Sequence, residues 1–238
     1  MVFKHLRKRG GTELAERYGR LHKMITRLGL AGLSASEERL TLIPRLETPR
    51  LVLRQLYESD ADDMYDYSCR EEVTRFLLWD THPSVGYTRR YLHDLQEKYR
   101  ACEYYDWGLE LSENGRLIGT CGFAKLDTEN RCGEIGYVIH PDYHGQGLAA
   151  EAAACVIAFG FLKLRLHRVE ARYMVGNEAS RRVMEKCGMI FEGIHREAIY
   201  VKDTYHDVGV CALLREDYFD PHAHQTDTPN ADAHAAQT

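Results

Sequence analysis

Hydrophobic residues change their period several times along the chain, and each change marks an element. Leu14, Tyr18, Leu21, Ile25 and Leu28 recur at three- and four-residue steps, the helical period, before Gly29, Gly32 and the Ser34–Ser36 run break it. Residues 1–45 therefore read as one amphipathic helix and a linker, a cap or an oligomer contact. From Leu46 the period shortens: Leu51 and Leu53 alternate with Val52 and Arg54, as in a strand. Ser59-Asp60 can cap a helix running to about Tyr67. A second helical stretch follows Pro83, with Tyr87, Tyr91, Leu92, Leu95 and Tyr99 as its apolar face.

Tyr105–Leu111 and Arg116–Lys125 flank Glu113-Asn114-Gly115, and Asn-Gly between alternating apolar runs is a strong hairpin signal. A strand follows over Gly133–His140, then a glycine-rich loop and a helix over Leu148–Leu164. Next come a strand over Val169–Met174, a helix over Ala179–Cys187, and two strands within Met189–Leu214 joined around Lys202-Asp203. The core order is β-α-α-β-β-β-α-β-α-β-β. Hairpins mixed with crossover helices call for a mixed α/β (α+β) sheet, not a doubly wound one.

Composition narrows the class. The 238 residues suit one domain with a sizeable core. Net charge is -5, so the whole chain has no electrostatic reason to bind nucleic acid directly, although residues 1–40 carry nine Lys/Arg against four Asp/Glu. The seven cysteines are scattered with no C-x-x-C pair, which points away from a zinc site or disulfide framework and fits a reducing, cytoplasmic setting. Ala152–Leu162, the longest apolar run, is too short to cross a bilayer and reads as a buried helix, so no membrane role is expected. Residues 219–238 are polar and aperiodic, and they are expected to form a disordered tail; a metal site is not expected.

The chemistry sits after the strand at Gly133–His140. Gly145 and Gly147 permit a tight turn and close approach of a ligand, and the helix that follows offers free N–H groups and the positive end of its dipole. Together these suit a diphosphate. The loop lacks the Gly-Lys-Ser/Thr of a P-loop and the third glycine of a dinucleotide fingerprint. About thirty residues on, Asn177 can cap a helix that buries Val183 and Cys187 and ends at Gly188.

These segments resemble the Gcn5-related N-acetyltransferase (GNAT) superfamily and, within it, the ribosomal-protein N-terminal-alanine acetyltransferases. The likeness covers 46–218. It is carried by Glu47-Thr48-Pro49-Arg50-Leu51-Val52-Leu53-Arg54, by Glu134-Ile135-Gly136-Tyr137, by Pro141–Ala152, and by Asn177–Gly193. His144 stands where the superfamily loop usually begins with Gln or Arg, and Met189 replaces an aromatic residue. The resemblance implies a mostly antiparallel sheet flanked by four helices and split by acetyl-CoA, the co-substrate. The amides of Val138 and Ile139 would then polarise the thioester carbonyl. His144, Gly145, Gln146, Gly147, Leu148 and Ala149 would hold the diphosphate, and Asn177 and Ser180 the pantetheine arm; Arg181, Arg182 and Lys186 are candidates for the 3′-phosphate, with a solvated helix face as the alternative.

Amide formation needs a neutral amine, a stabilised oxyanion and a protonated leaving thiolate. Ser180, three residues after Asn177 on one helix face, is the candidate proton donor, unless it only bonds its own helix backbone. For the amine, Glu134 is the first candidate base, with pairing to Arg172 as the alternative; Glu197 and Tyr205 follow. An α-amine, with a pKa about 2.5 units below that of lysine, saves about 3.4 kcal/mol of deprotonation. Phe76-Leu77-Leu78-Trp79 is a candidate acceptor wall. The expected acceptor is a protein N-terminus. A small amine (antibiotic, amino acid or polyamine) and a non-catalytic acyl-CoA-binding module remain as alternatives, and a homodimer is compatible with each.

Overall fold

The computed structural model describes residues 43–101 and 105–220. The helix expected near the N-terminus and the tail beyond Asp220 lie outside the described residues. The chain forms β1 (Leu46–Glu47), β2 (Leu51–Arg54), α1 (Ala61–Ser68), α2 (Glu71–Thr74), α3 (Val85–Arg100), β3 (Tyr105–Leu111), β4 (Leu117–Asp127) and β5 (Cys132–Ile139). It continues with α4 (Leu148–Leu162), β6 (Arg168–Met174), α5 (Glu178–Lys186), β7 (Ile190–Val201), β8 (Thr204–Leu214) and α6 (Arg215–Phe219). The eight strands make one sheet in the order β1-β2-β3-β4-β5-β6-β8-β7. Every pair is antiparallel except β5–β6. A parallel pair needs a long crossover, and α4 supplies it.

Apolar residues surround α4, so it buries nearly all round: Ala152 through Phe161 are within the core. Phe159 meets Trp107 of β3 edge-on, ring centres 5.2 Å apart. Trp107 also donates its indole N–H to the Pro44 carbonyl at 2.8 Å, and Ile43 is buried. The packed unit thus begins before Leu46, where the sequence pattern placed its start. At the other end Tyr218 stacks on Phe161.

The long elements follow the sequence reading, and the four helices of eight residues or more match the four expected. Strand β1 and helices α2 and α6, each five residues or fewer, carry too few residues to show a period. Two local expectations fail. Tyr87 and Tyr91 stand partly exposed on α3, with Thr88 buried between them, and both rings pack near His82, centres 5.0 and 5.8 Å away. Asp60 precedes α1 but makes no side-chain cap to it: its carboxylate holds the Arg54 guanidinium at 2.8 and 2.9 Å and accepts from the Tyr57 amide, which precedes it, at 2.8 Å.

The decisive feature is where β5 and β6 part. Their pairing runs from Cys132↔Arg168 to Ile135↔Ala171 and stops, although β5 continues to Ile139 and β6 to Met174. The sheet is open along the last four residues of β5.

Candidate active site

Strand alternation sets what faces that opening. His140 N–H donates back to Ile118 of β4, and the Arg131 carbonyl accepts from the β6 side. Even-numbered residues of β5 therefore turn their backbone groups to β4 and odd-numbered ones to β6. Past Ile135 this leaves Tyr137 and Ile139 presenting polar backbone toward the opening. The amide of Val138, expected to act with that of Ile139, instead points to β4, where Val138 pairs Thr120. Of the two amides only that of Ile139 faces the opening, a parity that no side chain encodes.

After β5, Pro141–Tyr143 makes one 3-10 turn, and the chain swings through Gly145 and Gly147, with φ of 75° and 79°. These left-handed values suit glycine alone at low cost. Among the described residues, the amides from Gly145 to Ala150 find no acceptor, and the first bonded one is Glu151, on the Gly147 carbonyl. The run of free N–H groups lies at the positive end of a fifteen-residue helix. His144 closes the corner by donating Nε2–H to the Ile139 carbonyl at 2.8 Å, and Gln146 donates to the Asp142 carbonyl at 3.3 Å. Leu148 is buried beneath the loop and Ala149 packs against the core.

A clamp not foreseen from sequence fixes this loop. Glu151 accepts from the Thr48 hydroxyl at 2.7 Å and from the Arg50 amide and Nε at 3.0 and 2.8 Å. Arg50 Nη1 donates to the Gln146 carbonyl at 2.9 Å. A second cluster lies under the turn. His140 is fully buried; its Nδ1 accepts from the Asp142 amide at 3.2 Å, so Nε2 carries the proton toward Asp66, 3.1 Å away. Asp66 also binds Arg70 at 3.0 Å and Arg116. The Arg70 guanidinium, with His140 adding, holds the Asp66 carboxyl below the usual carboxylate range.

Across the opening, Asn177 caps α5 by accepting from Ser180 N–H at 3.1 Å. The Tyr137 hydroxyl donates to the Ser180 carbonyl at 2.9 Å and lies 3.0 Å from Ser180 Oγ. Ser180 thus bonds a residue of β5 rather than its own helix backbone, and burial pushes the Tyr137 phenol far up. Helix α5 ends at Gly188, φ 79°, and Cys187 donates weakly to the Ala150 carbonyl at 3.6 Å, tying it to the first turn of α4. Arg182 is exposed and donates to the Glu178 carbonyl at 3.2 Å.

The remaining candidates are dispersed. Glu134 lies in the closed part of the β5–β6 ladder, and its carboxylate pairs with Arg172 at 3.4 Å. Glu197 sits exposed in a bulge of β7, its amide donating to Asp207, and Tyr205 stacks on Tyr200 at the hairpin end. Phe76 reaches inward: a methyl at Gly176 would lie 3.9 Å from its ring. Leu78 of the same stretch is 66% exposed, so the run does not form one buried face. Between α2 and the hairpin lies a cavity of about 510 Å³, lined by Glu71, Glu72, Thr74, Arg75, Asp80, Thr81 and Lys202. The Lys202 ammonium bonds the Thr74 carbonyl and closes one end.

A sheet parted beside a glycine loop of free amides is the arrangement that the sequence led us to expect of an acyl-CoA-dependent acyltransferase. The chain belongs to the GNAT acetyltransferases; residues 50–190 match the model of the acetyltransferase (GNAT) domain. It is 33% identical to the uncharacterized N-acetyltransferase YoaA of Bacillus subtilis over 174 residues, 73% of this chain and 98% of that one. It is 27% identical to the [ribosomal protein uS5]-alanine N-acetyltransferase of Escherichia coli over 184 residues, 73% of this chain and 92% of that one. The crystal structure of a GNAT-family acetyltransferase from Bacillus anthracis superposes with TM-score 0.66 at 27% identity, covering 73% of this chain and 99% of that one. The protein is an N-acetyltransferase, and acetyl-CoA is its co-substrate. Among the described residues no helix is long and apolar enough to cross a membrane.

Proposed function

We propose that the acceptor is the α-amino group at the N-terminus of a protein chain. The observation that carries this reading is the cavity between α2 and the β7–β8 turn. Its rim residues Glu71, Glu72, Arg75, Asp80 and Lys202 are exposed, so it is a groove able to admit a chain end rather than a closed cell for a small molecule. Three carboxylates suit a cationic terminus approaching it. Among the candidate bases, Glu134 is engaged by Arg172. An α-amine asks least of a base, being already partly neutral near pH 7.

In this reading the amides of Gly145 to Ala149 bind the diphosphate, and the Ile139 amide polarises the thioester carbonyl. Asn177, whose Oδ1 caps its helix, offers Nδ2 to the pantetheine arm, and Arg182 meets the 3′-phosphate. Ser180 gives its proton to the departing sulfur and takes one back from solvent water, so that the amine proton lost to Glu134 or water balances the one gained by the thiol. Glu134, or water held by it, collects the proton of the amine, with Glu197 and Tyr205 as alternatives on the hairpin. Direct attack needs only two substrates held in line, and no side-chain nucleophile takes part.

The test is coenzyme A release from acetyl-CoA over three acceptors: peptides with a free α-amine, the same peptides blocked at the α-amine but carrying lysine, and spermidine. Turnover of the first set alone is expected. A higher kcat/KM for spermidine would move the assignment to small amines. Tight acetyl-CoA binding with no release on any amine would make the chain a binding module.

A further inference from the structure

The geometry points to Arg50 as a positioning residue for the anion loop: gripped by Glu151, its guanidinium turns the Gln146–Gly147 peptide so that the Gly147 amide faces the diphosphate. This rests on the cofactor reading above and deepens it.

The argument begins with the peptide plane. In a trans peptide the C=O and the N–H of the next residue point in opposite directions. Arg50 Nη1 holds the Gln146 carbonyl at 2.9 Å, so the Gly147 N–H is directed away from Arg50, into the run of free amides. No other bond within the described residues fixes that carbonyl. It lies between two left-handed glycines, where rotation of the plane meets little steric resistance; a side-chain carbon on Gly145 would touch nothing within 4 Å. The loop therefore does not determine its own amide directions.

Arg50 is itself held. Its Nε and Nη2 lie 2.8 and 2.6 Å from Glu151 Oε2, and its own amide donates to Oε1 at 3.0 Å. Thr48 adds a hydroxyl to Oε1 at 2.7 Å. The Glu151 side chain is 13% exposed and that of Arg50 47%, so the buried carboxylate anchors the more exposed guanidinium. The pairing also cancels a negative charge in the first turn of α4, where it would repel a diphosphate. Three of the five guanidinium N–H groups are engaged by Glu151 and Gln146, and it is through the Gln146 carbonyl that Arg50 acts on the peptide. Only a planar fork can hold carboxylate and carbonyl together; lysine is a point charge.

Calorimetric titration tests this with two probes, coenzyme A and pantetheine, which lacks the diphosphate and nucleotide. The proteins are wild type, Arg50→Ala and Arg50→Lys, each melted in parallel. Wild type should bind coenzyme A more tightly than pantetheine. Both variants should lose about tenfold in coenzyme A affinity, the worth of one hydrogen bond to a charged group, with pantetheine affinity unchanged. Wild-type affinity in Arg50→Lys would show that charge alone suffices, and equal weakening of both probes would show a general structural role; either overturns the proposal. Wild type binding both probes equally would sink the loop reading itself, and this inference with it.

Discussion

Tyr137 Oη lies 3.0 Å from Ser180 Oγ, joining strand β5 to helix α5 across the open part of the sheet. The phenol has one proton, and the Ser180 carbonyl at 2.9 Å can only accept it. The phenol oxygen is then left to accept from the serine hydroxyl. Ser180 is thereby held at the opening with its own proton on the phenol oxygen, and giving that proton to another acceptor requires the hydroxyl to rotate off Tyr137.

Ser180→Ala should lower kcat roughly ten- to hundredfold, at or below the lower limit of general-acid effects, because a thiol of pKa ~8.5 leaves without much help near neutral pH. Binding of coenzyme A should change little. Tyr137→Phe removes the partner of the Ser180 carbonyl inside the protein and should cost about 1–3 kcal/mol of stability. Single-turnover kinetics and thermal melts separate the two effects. An unchanged kcat in Ser180→Ala would remove the hydroxyl from the reaction.

The glycines of β4 and β5 make a contrasting pair. A methyl on Gly119 would lie 2.0 Å from the Val138 carbonyl oxygen and 3.0 Å from its carbon, both backbone atoms unable to swing aside. Gly136, on the partner strand, has nothing within 4 Å of the same position. Gly119→Ala should destabilise by about 1–3 kcal/mol, as overpacking does, while Gly136→Ala stays within about 0.5 kcal/mol of wild type. Chemical denaturation of the two variants settles the comparison.

The regular elements were legible because each was long enough to repeat its period, as with Leu92, Leu95 and Tyr99 on α3 or Asn114-Gly115 in the β3–β4 turn. The glycine loop and the Asn177 cap were legible for the same local reason: the signal lies within a few residues. What escaped is set by tertiary register. Glu151 and Arg50 are 101 positions apart and meet only because β2 lies under the first turn of α4. The choice between Val138 and Ile139 depends on which neighbour the odd residues face, and the Asp60 carboxylate is held by Arg54, whose position only the folded chain supplies.

The Asp66 cluster gives a pH dependence with a definite sign. Arg70, aided by His140, depresses the folded-state pKa of Asp66 below its unfolded value of about 3.9. A depressed carboxylate pKa stabilises the fold above the unfolded value, and that stabilisation is lost as pH falls through the folded one. The melting temperature of wild type should exceed that of Asp66→Asn by a constant margin from about pH 5 to 7, and the margin should shrink below about pH 4. A margin that widens on acidification would contradict the arrangement.

The β7–β8 turn combines strain with a tether. Lys202 and Asp203 both adopt left-handed φ, 52° and 59°, as a two-residue hairpin turn demands, yet neither is glycine. Each non-glycine residue there costs roughly 1 kcal/mol. Lys202 meanwhile bonds the Thr74 carbonyl and fastens the turn to α2 at the rim of the cavity proposed to admit the acceptor. Asp203→Gly should relieve strain without touching the tether, raising stability by about 0.5–1 kcal/mol and leaving both Michaelis constants alone. Lys202→Ala keeps the backbone strain and frees the turn, so the KM for a peptide amine should rise severalfold while the KM for acetyl-CoA holds. If both variants leave the amine KM where it was, the hairpin is not a wall of the acceptor groove, and the groove must be sought elsewhere along the open edge of β5.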